Sequence, residues 1–273
     1  DSISVDVATR NSGGDKCTWL HAACCRLRQG TNKGSLLAPP APSRPPGMAC
    51  EDRARGTAGE WAGGDLLYRP GFVGEAEAER LLRGVLDVPQ SRWRVVSGRR
   101  LQNWGGRVER GRLVPEALPG WLVPLLSSVR AALPVAFPEK LNHVLVNQYL
   151  RGEGILPHED GPSYAPHVAI LSLGGPAVLR FFEKGAAGEG QARAKLALSV
   201  LLEPRSLVLF QGALYTDCLH TIDFVEEDRL DASVVNVEGS PEKKQGGSVP
   251  RAAERVSLTM RRVLKTGNRF VRL

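Results

Sequence analysis

The sequence predicts a mainly β domain of the jelly-roll type with flanking helices, and three features point there. Beyond Pro138 the chain breaks into short apolar runs separated by Gly and Pro, the texture of an antiparallel sandwich or barrel. Two segments with helical spacing precede that point. No repeat of roughly 20–50 residues suggests a solenoid or propeller instead.

The elements follow in order. Gly74–Leu86 carries Ala78, Leu81, Leu82, Val85 and Leu86 at helical spacing, with Glu75, Glu77 and Glu79 near its start and Pro89 beyond its end. Acid at the first turn suits the positive end of a helix dipole. A second short helix is predicted around Trp121–Leu133. The predicted strands are Leu141–Leu150, His167–Leu173, Val178–Phe182, Leu196–Leu202, Ser206–Phe210 and Val256–Val263. Between His220 and Arg255, the polar stretch from about residue 226 to 254 reads as a long surface loop inserted into the domain.

Residues 1–60 differ in texture and are expected to be a low-complexity, disordered extension; residues 61–273 form the domain, with order expected from near Leu66. The run Ala38-Pro39-Pro40-Ala41-Pro42-Ser43-Arg44-Pro45-Pro46-Gly47 suits neither a helix nor a sheet interior. The first methionine, Met48, is an expected natural start. A transit peptide is the alternative for the basic residues before it, against which Asp1, Asp6 and Asp15 count. His21 is left without a role.

With 42% hydrophobic and 24% charged residues the chain has enough apolar material for a core, which excludes global disorder. No stretch nears the ~18 consecutive apolar residues of a membrane span. Of five cysteines, four lie in the first fifty residues and only Cys218 in the predicted domain. An odd count without a CxxC pair argues against a disulfide framework and a zinc ribbon. The expectation is a monomeric, intracellular protein of the nucleus, the cytoplasm or both. A net charge of +7 and a pI near 9.4 favour an anionic partner such as nucleic acid.

The chemistry-bearing stretch is Asn147-Gln148-Tyr149-Leu150-Arg151-Gly152-Glu153-Gly154-Ile155-Leu156-Pro157-His158-Glu159-Asp160. Residues i and i+2 of an extended segment point to one side, so His158 and Asp160 can bind one ion together. An imidazole and a carboxylate begin the two-His-one-carboxylate triad of iron(II) oxygenases, and His220 is the candidate third ligand. Taken alone, the HxD triplet reads as a surface loop more often than as a site. Near the C-terminus, strand alternation puts Arg255, Ser257, Thr259 and Arg261 on one face and Val256, Leu258 and Met260 on the other. Two arginines on a buried face would call for an anion, and a dicarboxylate matches the guanidinium fork. A solvated face is the alternative.

Together, Asn147-x-Tyr149, His158-x-Asp160, His220, and Arg255 followed by Arg261 resemble the AlkB family of oxidative-dealkylation dioxygenases. The wording of Asn142–Tyr149, His158–Pro162, Leu202–Leu207 and Leu101–Gly106 resembles the subfamily of the sixth AlkB homologue, over roughly residues 66–263. The resemblance implies a double-stranded β-helix (cupin-like) fold with iron(II) at one mouth of the barrel, held by His158, Asp160 and His220. It implies 2-oxoglutarate on Arg255, Asn147 and Tyr149, with Arg261 near the cosubstrate's other end or the substrate. It further implies oxidative demethylation of alkylated bases in RNA or single-stranded DNA, with dioxygen consumed and succinate, carbon dioxide and formaldehyde released. Departures are Thr221 after His220, where the family often has Gly, and the long 226–254 stretch.

For substrate, Arg99 and Arg100 are candidate phosphate contacts and Trp104 a candidate stacking ring, with a core role as the alternative for Trp104. Tyr164 and His167 are candidate pocket residues, and His143 is read as a packed core histidine. Two other functions stay open: the same cofactor chemistry on a protein or small molecule, and a non-catalytic jelly-roll module that binds nucleic acid.

Overall fold

The computed structural model describes residues 61–185, 195–237 and 246–267, with no account of the side chains of residues 61–63. The extension of residues 1–60, with Met48 and His21, lies outside the described residues. In chain order the elements are β1 (Trp61–Gly63), β2 (Leu66–Arg69), α1 (Glu75–Leu86), β3 (Arg94–Val96), β4 (Arg99–Trp104), β5 (Gly106–Glu109), β6 (Arg112–Pro115) and α2 (Val123–Ala132). There follow β7 (His143–Leu150), β8 (Ile155–His158), β9 (His167–Gly174), β10 (Ala177–Glu183), β11 (Leu196–Leu202), β12 (Leu207–Gln211) and α3 (Gly212–Thr216). The chain continues through β13 (Cys218–Ile222), β14 (Glu227–Arg229), β15 (Ser248–Pro250) and β16 (Glu254–Arg261).

Two sheets carry the domain. The larger has the order β1-β2-β12-β9-β16-β7-β4-β3, the smaller β11-β10-β13-β8. From β7 onward the chain passes from the large sheet (β7) to the small (β8), back to the large (β9), through the small (β10, β11), and on to the large (β12). It then visits the small sheet once more at β13 and closes in the large one at β16. This winding of antiparallel strands between two facing sheets is the double-stranded β-helix.

Strand alternation divides the apolar residues into two cores. Val144 and Val146, Leu171 and Leu173, Leu207 and Leu209, and Val256, Leu258 and Met260 face the helices. There they meet Ala78, Leu81 and Val85 of α1 and Leu125, Leu126 and Val129 of α2. The residues between them, Tyr149, Val168, Ile170, Val208 and Phe210, face Leu179, Phe181, Leu198 and Val200 of the small sheet. Helix α1 starts after Gly74, which is extended, and has Glu75 and Glu77 in its first turn. Helix α2 has Pro124 at its start, where a missing N–H costs nothing.

Gly105 and Gly106 turn the chain from β4 into β5, with φ of +87° and +132°. A Cβ on Gly105 would stand 2.1 Å from the Asn142 carbonyl oxygen, and one on Gly106 as close to that of Val114. Only glycine fits either position.

The stretch expected as a plain surface loop is more built than that. β14 and β15 pair along Glu227–Arg229 and Ser248–Pro250. Between them Leu230, Val234 and Val237 pack on Val178 and Leu201 as a small third core. The Asn236 amide caps the Leu201 backbone at N–H and C=O, both at 2.8 Å. Arg251 and Asp228 form a buried two-pronged ion pair, 2.7 and 2.9 Å, and Arg251 also donates to the Glu153 carbonyl. Apolar residues hidden in a polar composition account for the difference. Residues 238–245 lie outside the described residues.

Candidate active site

A cavity of about 290 Å³ lies between the sheets, lined by polar side chains of β4, β7, β8, β13 and β16 and by Leu145, Ile170, Leu179, Leu202 and Ile222. A larger cavity of about 500 Å³ beside α2 is mostly apolar, with Arg130 and Lys140 its only charged lining. Unlike the cavity beside α2, the first gathers titratable groups of both signs, two imidazoles, carboxylates and arginines together.

His158 and His220 sit opposite each other on adjacent strands β8 and β13, with ring centroids 4.2 Å apart. Phe210 and Phe181 pack on His220 at 5.1 and 6.1 Å. Burial pulls the His220 pKa down to about 3, with the neighbouring His158 adding to it. Burial likewise lowers that of His158, so both rings are neutral at physiological pH, the form that binds metal. His158 directs Nδ1 to the Leu156 carbonyl at 2.9 Å, which leaves Nε2 as its donor to the cavity. Asp160, just past β8, turns Oδ1 to Arg261, while its Oδ2 is buried and has no partner. Among the described residues no three His, Cys, Asp or Glu side chains are already drawn to coordination geometry. Two neutral imidazoles and one carboxylate with an orphaned oxygen are nevertheless the donor set that iron(II) takes.

The loop that carries Asp160 is pinned on several sides. Tyr215 of α3 donates to the Gly161 carbonyl at 2.8 Å. Lys184 pairs with Glu159 and donates to the Thr216 carbonyl at 2.7 Å. These contacts fix a carboxylate that lies outside any strand.

The last strand supplies the cations. β16 pairs with β7 so that Arg255 stands opposite Tyr149 and Ser257 opposite Asn147. Arg255 and Arg261 are 5% and 4% exposed, which rules out a solvated face. Arg255 donates Nη2 to Ser172 Oγ at 3.0 Å, and its Nε and Nη1 are buried without partners. Burial lowers its pKa to about 10, opposed by Tyr149, so it stays charged. A buried guanidinium with free prongs is costly unless an anion completes it.

The chain is 41% identical over 204 residues to the zebrafish (Danio rerio) protein named probable RNA/DNA demethylase ALKBH6, covering 73% of this chain and 86% of that one. It belongs to the AlkB family. Uncharacterized protein L905 of the virus Acanthamoeba polyphaga mimivirus is 26% identical over 204 residues, 71% of this chain and 82% of its own. No family model matches the chain. Among solved structures, OsALKBH1 aligns over 74% of this chain and all of its own at 14% identity and a TM-score of 0.46. A Pseudomonas putida prolyl-4-hydroxylase aligns over 77% of this chain and 95% of its own at 14% identity and a TM-score of 0.42. The class of activity is that of the AlkB family, an iron(II)- and 2-oxoglutarate-dependent dioxygenase, hence an oxidoreductase.

The AlkB cavity brings together most of the residues singled out in the sequence. His158, Asp160, His220, Asn147, Tyr149, Arg255, Arg261, Tyr164 and Arg99 all line it. Tyr164 lies beneath the Arg261 guanidinium, 4.1 Å from Cζ to ring centroid. Arg100 and Trp104 do not line it. On β4 the cavity takes Arg99 and Asn103, and the alternate positions face the other way. Trp104 is in the helix-facing core, edge-on to Trp121 at 5.8 Å, with its N–H on Gln102 Oε1 at 2.9 Å. Arg100 pairs with Gln148 and covers Trp93 at 4.2 Å. Trp104 thus takes the core role that was its alternative, and Arg100 lies on the face of β4 that points away from the cavity. His167 stays outside the cavity lining, edge-on to Phe137. His143 is buried, and burial pulls its pKa down to about 4.

Sequence reading missed Asn103, Ser172, Lys184 and Tyr215. The parity of β4 relative to Asn147 would have found Asn103. The others come from distant strands and α3, and no local pattern marks them.

Proposed function

We propose that this AlkB protein oxidatively demethylates alkylated bases in RNA or single-stranded DNA, with iron(II) held by His158, Asp160 and His220. The observation that carries the reading is Arg255: a buried cation with two unpartnered N–H groups, in one cavity with two imidazoles and a carboxylate. 2-Oxoglutarate fits that arrangement, one carboxylate on Arg255 and its remaining oxygens toward Asn147 and Tyr149. When bound, iron(II) with 2-oxoglutarate and dioxygen supplies the oxidation that hydroxylates a C–H bond, releasing succinate and carbon dioxide. A hydroxylated N-methyl group then falls apart to formaldehyde and the free amine.

The chain's own residues set the conditions for that chemistry. Neutral His158 and His220 offer nitrogen lone pairs, and Asp160 offers the unpartnered Oδ2. Leu145, Ile170, Leu179 and Leu202 add apolar wall to the cavity, which strengthens the electrostatic contacts made inside it. The zebrafish relative is named for RNA and DNA, and the basic balance of this chain suits a polyanion. A base must be single-stranded or flipped to enter a cavity of this size. The reading that goes with such a substrate is an enzyme of the nucleus, the cytoplasm or both.

The test is to incubate the purified protein with iron(II), ascorbate and labelled 2-oxoglutarate across a panel of methylated oligonucleotides. Succinate and formaldehyde released in step with one modified base support the reading. Succinate released with no oligonucleotide dependence overturns the nucleic-acid substrate and leaves a protein or small-molecule hydroxylase.

A further inference from the structure

Arg99, a candidate phosphate contact, lines the cavity. Leu101 of β4 stands opposite Asn147 of β7, and Arg99 lies two residues earlier on the same face. Its Nε donates to Asn147 Oδ1 at 2.9 Å, and Nη1 reaches back to the Ser97 carbonyl at 3.4 Å. Arg99 lines the same cavity as Asn147, Tyr149 and His158.

The contact decides which way the Asn147 amide faces. Arginine carries donors only, so the atom it meets on Asn147 must be the oxygen. Asn147 is buried and lines the cavity, and among the described residues Arg99 is the one side chain hydrogen-bonded to its amide. With Oδ1 held, Nδ2 is presented to the cavity as a donor. Without Arg99 the amide can rotate and offer an oxygen to an incoming carboxylate, which repels it.

We propose that Arg99 is a positioning residue for 2-oxoglutarate: it locks the Asn147 amide with its nitrogen toward the cosubstrate, and acts through Asn147 rather than on substrate phosphate. The inference rests on the 2-oxoglutarate reading above. It assigns Arg99 to preorganisation, in which the donor is aimed before the ligand arrives.

The test is a double-mutant cycle on the full chain loaded with Mn(II), reading the 2-oxoglutarate dissociation constant by calorimetric titration. The proteins are wild type, Arg99→Leu, Asn147→Ala and the double variant, with a thermal midpoint for each. Arg99→Leu is expected to weaken binding roughly ten- to hundredfold, the scale of a hydrogen bond to a charged group. In the Asn147→Ala background the same change should add less than about twofold, because the residue it acts through is gone. Arg99→Gln, whose amide can still donate to Oδ1 without a charge, should recover part of the loss and carries the test if Arg99→Leu does not fold. In turnover the change should appear in KM for 2-oxoglutarate with kcat largely kept.

A double variant showing the full product of the two single effects overturns the proposal, since Arg99 would then touch the ligand by itself. Binding by Arg99→Leu equal to wild type overturns it as well. Failure of the wild type to bind 2-oxoglutarate overturns the cosubstrate reading, a result distinct from the other two.

Discussion

Arg261 on β16 and Asp160 beyond β8 form a buried ion pair, with side chains 5% and 6% exposed. The pair joins the end of the last strand to the HxD segment and leaves the other Asp160 oxygen unpartnered. Removing one member of a buried pair strands the other charge and costs about 3–5 kcal/mol. A divalent cation on Asp160 would replace much of the lost positive charge. Arg261→Leu should therefore lower the unfolding free energy of the metal-free protein by about that amount, and lower it distinctly less with Mn(II) bound. Chemical denaturation with and without Mn(II) measures both; equal losses would show that Asp160 is not a metal ligand.

The three donors themselves make a simpler prediction. His158→Ala, Asp160→Ala and His220→Ala should each abolish metal binding and succinate release. His158 sits at the cavity wall, so its variant should keep its stability, whereas Asp160→Ala strands the buried Arg261 charge and should lose about 3–5 kcal/mol in the metal-free protein. His220 is buried against Phe181 and Phe210, so His220→Ala also leaves a void and should melt earlier. Circular dichroism beside a metal titration separates the two effects.

Much of this was legible in the sequence because strand alternation is a strict rule. Val256, Leu258 and Met260 against Arg255, Ser257, Thr259 and Arg261 could be divided by parity alone, and the structure divides them the same way. The run Leu196–Leu202 was legible to the residue. Which face of β4 carries Trp104 and Arg100 was not legible, because no clear apolar alternation marks that strand. The hairpin of β14 and β15 was hidden for another reason. Its stability comes from Arg251, Asp228, Leu230 and Val234 meeting residues far away in sequence, and a polar composition gives no hint of those partners. Tyr215 on Gly161 is a contact of the same long-range kind.

Trp104 offers a test of the corrected assignment. As a core residue packed on Trp121, its removal should cost about 3–5 kcal/mol of stability, as large aromatic truncations do. Oligonucleotide affinity of the folded fraction should be unchanged. Trp104→Phe, which keeps most of the volume, should recover the greater part of the stability. A specific loss of oligonucleotide binding without destabilisation would return Trp104 to the cavity.

The pH dependence of stability should carry the signature of His143. Burial first, then the charge of Arg261, pulls its pKa down to about 4, with Asp160 opposing; in the unfolded chain it is about 6.5. Between those values the unfolded state binds the proton and the folded state does not. Stability is therefore full above about pH 6.5 and falls as pH drops toward 4. Nδ1 of His143 has no partner, so His143→Phe removes both the proton site and an unsatisfied polar atom. Denaturant titrations at pH 7 and 5 should show a smaller difference for His143→Phe than for wild type. An equal difference would mean that His143 does not carry this slope.

Arg255 ties stability and function together in opposite directions. Its Nε and Nη1 are buried without partners, while Ser172 accepts only Nη2. Without an anion the protein thus carries an under-satisfied cation, and with one that group becomes a charge-assisted clamp. Truncating one member of a buried charged pair costs about 2–5 kcal/mol, or roughly 30- to 4000-fold in affinity. Arg255→Ala should weaken 2-oxoglutarate binding within that range while leaving Mn(II) affinity nearly intact. Arg255→Lys should restore only part, since an ammonium cannot match two carboxylate oxygens. Arg255→Met, similar in length and apolar, should make the ligand-free protein at least as stable as wild type, because it removes a buried charge that nothing in the free protein completes. Thermal midpoints and 2-oxoglutarate titrations on these variants check both halves. If Arg255→Met both destabilises the free protein and leaves 2-oxoglutarate affinity unchanged, Arg255 holds the sheets together and the carboxylate clamp must be sought at Arg99 or Arg261.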